Sequence, residues 1–120
     1  MSKTVEICLP WPDSALSPNS HLHWRARQAA RILARDDAMM AALATGKKLD
    51  LNVALCLTVT MYPPDRRRRD ADNVLASLKV SIDSLCGAID VDDWQIRRVV
   101  LEWGDVMKGG QVMLKLKTLE

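Results

Sequence analysis

Hydrophobic and polar positions alternate in two segments of the N-terminal half of the chain. In the first, Val5, Ile7 and Leu9 are separated by Glu6 and Cys8. In the second, residues 52–62, five apolar side chains share one parity: Val53, Leu55, Leu57, Val59 and Met61. A period of two is typical of a strand with one buried face. Both segments are therefore predicted as strands, and two consecutive prolines end the second.

Two longer segments have a helical pattern. Residues 22–44 contain no Pro or Gly and are rich in good helix formers, and Gly46 supplies a stop. Their apolar side is expected at Ala29, Ile32, Leu33, Met40 and Leu43. A second helix is predicted from near Asp70 to near Cys86, with an apolar stripe at positions three and four apart. That stripe consists of Leu75, Leu78, Ile82 and Leu85.

The C-terminal part of the chain predicts two more strands, over 96–103 and 111–117. Lys108-Gly109-Gly110 lies between them and favours a hairpin. The element order is then β-α-β-α-β-β. This order predicts an α/β (α+β) fold in which a small mixed β-sheet packs with two helices, in a single domain over residues 1–120.

Composition narrows the class of protein. The chain has 120 residues, 48% hydrophobic and 27% charged, which is ordinary for one globular domain. No apolar run is long enough to span a membrane, and Glu6 lies where a signal peptide would be apolar. Cys8, Cys56 and Cys86 are odd in number, far apart and flanked by apolar residues, so they are expected to be reduced core residues. A cytoplasmic location is therefore expected, with no membrane partner.

The net charge of +2 comes from 17 basic and 15 acidic residues and taken alone weighs against a polyanionic partner. The distribution of the basic residues along the chain weakens this argument, because eight of them lie in two arginine-rich segments. They are Arg25, Arg27, Arg31 and Arg35 in the first helix, and Arg66, Arg67, Arg68 and Arg69 before the second. The first group is either a phosphate-contacting surface or a solvated helix face, and the sequence does not separate the two readings.

Acidic residues follow the second arginine segment closely. Asp70 and Asp72 begin the predicted helix, and Asp92 and Asp93 follow it. Such a set of carboxylates, without a nearby His or Cys, suits a hard cation such as Mg²⁺ rather than zinc. Acids that hold a metal beside arginines that bind phosphate indicate phosphodiester chemistry.

A lysine on the same helix strengthens this interpretation. At about 100° per residue, Lys79 and Asp83 fall within about 20° of Asp72 around the helix axis. The three side chains are thus predicted to form one polar line beside the apolar stripe, and a lysine there would stabilise charge on a reacting phosphate.

Each of these features also has an ordinary structural interpretation. Asp70 suits a plain helix N-cap, and Asp92-Asp93 is common turn chemistry. Lys79 and Asp83, four residues apart, fit a surface ion pair. The hypothesis of a reactive site therefore depends on their concentration in one stretch of about thirty residues.

That stretch resembles the RusA family of Holliday junction resolvases. The similar segments are Pro64 to Asn73, the helix with Lys79 and Asp83, and Val91 to Ile96. The opening Leu9-Pro10-Trp11-Pro12, with Ser14 and Asn19, and the tail around Lys108-Gly109-Gly110 are similar to the family as well. The resemblance covers almost the whole chain.

The resemblance implies a homodimeric, Mg²⁺-dependent endonuclease that nicks four-way DNA junctions symmetrically in recombination and repair, with Mn²⁺ as a possible substitute and no small-molecule cofactor. It carries three essential metal-binding aspartates onto Asp70, Asp72 and Asp93, and a catalytic lysine onto Lys79. One departure is that Lys79 follows Asn73 by six residues where the family pattern has three.

The guanidinium groups of Arg66, Arg67, Arg68 and Arg69 are expected to bind the phosphates of branched DNA. Asn73 is expected to contact the DNA and to orient the acids. Two alternatives remain open from the residues. One is a non-catalytic DNA-binding module whose acids only cap and solvate. The other is a metal nuclease that acts on other branched or single-stranded DNA.

Overall fold

The computed structural model describes residues 3–119, and its framework is one mixed four-stranded sheet. The strands are β1 (Thr4–Pro10), β2 (Leu55–Tyr62), β3 (Ile96–Trp103) and β4 (Gln111–Thr118). Their order in the sheet is β1-β4-β2-β3. β4 runs antiparallel to both of its neighbours, whereas β2 and β3 are parallel. The predicted α+β class and the mixed sheet are confirmed.

Three helices accompany the sheet, one more than the sequence predicts. They are α1 (Trp24–Ala44), α2 (Ala71–Ser77) and α3 (Lys79–Ala88). The predicted second helix is interrupted at Leu78, whose φ of −97° and ψ of 2° leave the helical region. The Ser77 hydroxyl donates to the Asn73 carbonyl at 2.9 Å, a contact that bends helices. Leu78 itself is buried, so the break lies over the core.

The predicted hairpin between the last two strands is wrong. β3 pairs only with β2 in the sheet, and β4 inserts between β1 and β2. Residues 104–110 run back along the end of β2, where the Gly104 N–H donates to the Met61 carbonyl at 2.8 Å. Gly109 and Gly110, with φ of +80° and +73°, then turn the chain into β4. The Gly-Gly turn is real, but the strands on either side of it do not pair.

The core lies on one face of the sheet, the face formed by the alternating apolar residues that the sequence predicts to be buried. Every second residue of β1, β2 and β4 is buried there. These residues are Val5, Ile7, Leu9, Leu55, Leu57, Val59, Met61, Val112, Leu114 and Leu116. The helices cover this face through Leu78, Leu85 and Ile89, all almost fully buried. The alternation in the sequence therefore identifies the buried side of the sheet correctly.

Helix α1 packs with the opposite side from the one predicted. Ala38 and Ala42 are fully buried, and the Ser84 hydroxyl of α3 donates to the Arg35 carbonyl at 2.7 Å. Small side chains let the two helices approach closely. The large apolar residues Ile32, Leu33, Met39, Met40 and Leu43 are exposed instead and are called the α1 outer face below.

The cysteines differ in their surroundings. Cys86 is buried, and burial raises the pKa of its thiol to about 11. Cys8 is exposed and Cys56 is half-buried, because both occupy the parity opposite to the core. The prediction of three core cysteines is therefore wrong for Cys8 and Cys56 and right for Cys86. Within residues 3–119, no helix combines the length and the apolarity needed to cross a membrane.

One buried amide joins the turn before β3 to the loop before β2. The Gln95 side chain is 1% exposed, and its Nε2 donates to the carbonyls of Asp50 and Val53 at 3.0 and 2.9 Å. Its Oε1 accepts from the Asp92 N–H at 2.9 Å. The amide thereby fixes the short 3-10 turn Asp93–Gln95, which carries two candidate acids at or beside its start.

We expect Gln95→Leu to lower the free energy of unfolding by about 2 kcal/mol or more, because it leaves buried backbone polar groups unpaired. Gln28→Leu, on the exposed surface of α1, makes the same chemical change without losing a buried hydrogen bond. Urea denaturation of both variants measures the difference. Equal midpoints for the two variants would contradict this role of Gln95.

Candidate active site

An open cleft lies between β3 and the helices α2 and α3. Its polar side chains are Asp72, Lys79, Asp83 and Asp93. Its apolar lining includes Leu57, Leu75, Ile82, Ile96 and Val99. The helix break does not separate the predicted polar line from the turn before β3. Four groups that the sequence placed in one candidate site therefore line one space.

Lys79 is the centre of this charge cluster. Its Nζ lies 2.9 Å from Asp83 Oδ1 and 3.4 Å from Asp93 Oδ2. The hydrogen bond that the Lys79 ammonium donates to the Asp83 carboxylate is the main cause of the raised pKa of Lys79. The ammonium group therefore stays protonated at neutral pH. Because Asp93 belongs to a different element, the contact is more than an ion pair along one helix.

Asp70 and Asn73 stand apart from the cleft. Asp70 precedes α2 in the N-cap position, but its carboxylate makes no capping hydrogen bond. It lies 3.5 Å from Asn73 Nδ2 and is exposed. The plain-cap interpretation therefore does not describe this carboxylate, and Asp70 does not line the cleft.

The two consecutive aspartates before β3 have different surroundings. Asp92 accepts a hydrogen bond from Trp94 Nε1 at 3.3 Å, and its backbone is held by Gln95. Asp93 faces Lys79 and lines the cleft. The geometry thus separates two residues that local sequence leaves equivalent, and it favours Asp93 as the reactive-site acid.

Asp65 organises the arginine-rich loop after β2. Its Oδ1 accepts from the Arg67 N–H at 2.9 Å and from Arg69 Nη2 at 2.8 Å, while Oδ2 lies 3.2 Å from Arg67 Nη2. The backbone hydrogen bond from Arg67, followed by those from the two guanidinium groups, lowers the pKa of Asp65 to about 2. Sequence reasoning missed this role, although an acid two and four residues before arginines is its signal.

Arg69 faces inward, unlike the three arginines before it. Its side chain is only 16% exposed, its guanidinium lies 5.3 Å from the centre of the Trp11 ring, and Nη1 donates to the Asp65 and Arg67 carbonyls. Arg66, Arg67 and Arg68 are exposed. The structure therefore divides the run into one arginine that stabilises the loop and three that are accessible to a ligand.

The cleft offers oxygen donors to a cation. No His or Cys lines it, and its carboxylates already hold one positive group, the Lys79 ammonium, within 3.4 Å of two of them. Within residues 3–119, no three side chains of His, Cys, Asp or Glu come together as a metal-binding group. This donor set fits an ion such as Mg²⁺, which uses one or two protein carboxylates with water and phosphate oxygens.

Similarity to characterised proteins extends over almost the whole chain. The chain is 34% identical over 116 residues to a protein of Enterobacteria phage 82 named crossover junction endodeoxyribonuclease rusA. It is 32% identical over 116 residues to the crossover junction endodeoxyribonuclease RusA of Escherichia coli strain K12. In both cases the match covers 94% of this chain and 93% of the relative.

A third relative carries no functional name. It is an uncharacterized protein of Xylella fastidiosa, 36% identical over 113 residues, with 92% of this chain and 74% of that protein covered. No protein-family model matches the sequence. The identities to the named relatives, over nearly full length on both sides, decide the assignment: this chain belongs to the RusA family of crossover junction endodeoxyribonucleases.

Proposed function

We propose that this protein is a Mg²⁺-dependent endodeoxyribonuclease that resolves four-way DNA junctions by paired symmetric nicks, in recombination and repair. The observation that carries the proposal is the position of Lys79 between Asp83 and Asp93, with Asp72 on the same cleft. The names of the relatives support DNA junctions as the substrate.

Lys79 is suited to stabilise a reacting phosphate. Hydrolysis of a phosphodiester adds negative charge to its non-bridging oxygens, and a positioned ammonium group stabilises that charge. Lys79 is 66% exposed and its partners are about half exposed, so its two ion pairs are weak and can be exchanged for phosphate. A lysine side chain is cationic at neutral pH even without these carboxylates, so Lys79 keeps its charge when phosphate replaces them.

The proposed cofactor is Mg²⁺, with Mn²⁺ as a substitute. Asp72 and Asp93 would hold it in the cleft, and Asp70 at the start of α2 is the third proposed carboxylate. When bound, such an ion neutralises phosphate charge and acidifies water for attack on phosphorus. Asp83 keeps the ammonium of Lys79 beside this space at 2.9 Å.

The loop before α2 is proposed to bind the DNA backbone. Arg66, Arg67 and Arg68 are exposed and present planar guanidinium groups that match phosphate oxygens. Arg69 contributes by holding the loop against Trp11. Asn73, the third residue of α2, is proposed to contact DNA and to orient Asp70, which it approaches at 3.5 Å.

A homodimer is also proposed. A four-way junction has approximate two-fold symmetry, and its resolution takes two cuts, which a two-fold dimer supplies. The α1 outer face is a contiguous apolar surface, and exposed patches of this kind mark interaction sites. The carboxylate of Asp36, which lies on the same helix, forms an ion pair with Arg35 at 3.3 Å. We therefore propose that a second copy of the chain covers this face.

We expect Asp93→Asn to lower the rate of junction cleavage about 100-fold or more, because it removes a proposed carboxylate ligand of Mg²⁺ from the cleft. Asp92→Asn makes the same change one residue away, where an amide oxygen still accepts from Trp94. That variant is expected to cleave at close to the wild-type rate. Single-turnover cleavage of a labelled four-way junction in Mg²⁺ compares the two. Equal losses, or a larger loss in Asp92→Asn, would contradict the assignment.

The dimer proposal is tested with Met40→Lys, which places a charge in the middle of the α1 outer face. We expect the dimer dissociation constant to rise about tenfold or more. Leu51→Lys adds the same charge at an exposed apolar residue of the loop before β2, outside α1, and is expected to leave the constant unchanged. Sedimentation velocity over a concentration series measures both. A monomeric wild-type protein would contradict the dimer, and a fully dimeric Met40→Lys variant would contradict the face.

A further inference from the structure

A second groove lies on the other side of Lys79, and we call it the α1 groove. One wall is formed by Arg27 and Arg31 of α1, and the other by Leu16 to Pro18. Its base is the junction of α2 and α3, including Ser77 and Lys79. Lys79 and Ala76 line both the α1 groove and the cleft of the candidate active site. The two spaces are therefore neighbours that share Lys79.

The charged side chains that line the α1 groove are all positive. Arg27, Arg31 and Lys79 are its only charged residues, and no carboxylate lines it. In the part of the chain that the structure describes, neither arginine forms an ion pair, whereas Arg35 on the same helix pairs with Asp36. Two uncompensated guanidinium groups in one groove indicate an anionic ligand.

Arg27 supplies the independent observation. Its Nε is buried and has no hydrogen-bond partner among residues 3–119. A buried donor on a charged group without an acceptor costs free energy, so such groups are almost always satisfied by a ligand, water or protein oxygen. A phosphate oxygen provides a charge-assisted acceptor for a guanidinium.

We propose that the α1 groove binds the phosphodiester backbone of the DNA strand that continues from the phosphate held at Lys79. The apolar side chains of Leu16 and Pro18 on the facing wall suit the sugar face of that strand. A free phosphate ion would satisfy one guanidinium, but only a polymer runs from the cleft across Lys79 into the groove. This inference rests on the proposed function, because it extends the same DNA strand.

The test measures junction binding without cleavage, in chelator, across a series of salt concentrations. Arg27→Gln/Arg31→Gln is expected to lower the slope of log K against log salt by about 2 and to weaken binding about tenfold or more, because two phosphate contacts are lost. The single variant Arg31→Gln, at an exposed position, is expected to lower the slope by about 1. It keeps the test valid if the double variant fails to fold.

The matched control is Arg25→Gln/Arg35→Gln. It removes the same two charges from the same helix, but Arg25 lies against the Trp24 ring and Arg35 against Asp36, both outside the groove. Its salt slope is expected to equal that of the wild type. If the salt slope decreases equally in the two double variants, the effect is one of general charge, and the proposal that the groove binds DNA is overturned. An unchanged slope in Arg31→Gln would overturn it as well.

Wild-type cleavage separates this inference from the function on which it rests. If the wild-type protein cleaves junctions while the groove variants bind normally, the groove is overturned and the nuclease stands. If the salt slope of the groove variants decreases by the expected amount while the wild-type protein cleaves no DNA in Mg²⁺, the proposal of a DNA-binding groove stands and the proposal of a nuclease is overturned.

Discussion

The contact of one ammonium group with two carboxylates from different elements is the interaction on which the proposed chemistry of this site depends. Lys79 begins α3, Asp83 follows one turn later, and Asp93 reaches the same point from the turn before β3. All three side chains are substantially exposed, so the contact contributes little to stability. Its consequence is chemical. It keeps a cation in a cleft of acids, next to a groove that is lined by cations.

Contacts outside the cleft hold the segments that carry these groups in place. The break at Leu78 lets α2 and α3 follow the sheet while Asp72 and Lys79 still line one cleft. Gln95 fixes the turn that carries Asp93, using two carbonyls of the loop before β2. Asp65 fixes the arginine loop at the other end of β2. Three segments that carry candidate site residues are thus positioned by the fold, and of their anchors only the contact between Asp65 and the arginines has a signal in the local sequence.

Much of the fold follows from local pattern, and its errors have physical causes. The alternation of apolar and polar residues identified strands and their buried side, because successive side chains of a strand point to opposite faces and only one face is apolar. The same reasoning placed the wrong side of α1 inward, since Ala38 and Ala42 pack closely while larger residues such as Met40 stay exposed. The hairpin failed because a Gly109-Gly110 turn does not determine which strand lies beside the next one.

The candidate site shows the same division. Types and spacing of residues were enough to select Asp72, Lys79 and the pair Asp92-Asp93, and the structure brings Asp72, Lys79 and Asp93 to one cleft. Local sequence had no means of separating Asp93 from Asp92 on physical grounds, because the difference is made by contacts with distant elements. The inward position of Arg69 likewise depends on Trp11, which lies far away in sequence.

The central claim is that this cleft hydrolyses phosphodiesters at branched DNA with the help of a divalent cation. It is tested most directly by incubating a labelled four-way junction, a linear duplex and a single strand with wild-type protein, in Mg²⁺ and in chelator, beside Asp72→Asn. The account predicts paired, ligatable nicks in the junction only, dependent on Mg²⁺ and absent in Asp72→Asn despite retained junction binding. Equal cutting of the linear or single-stranded DNA, cleavage in chelator, or full activity of Asp72→Asn would contradict it.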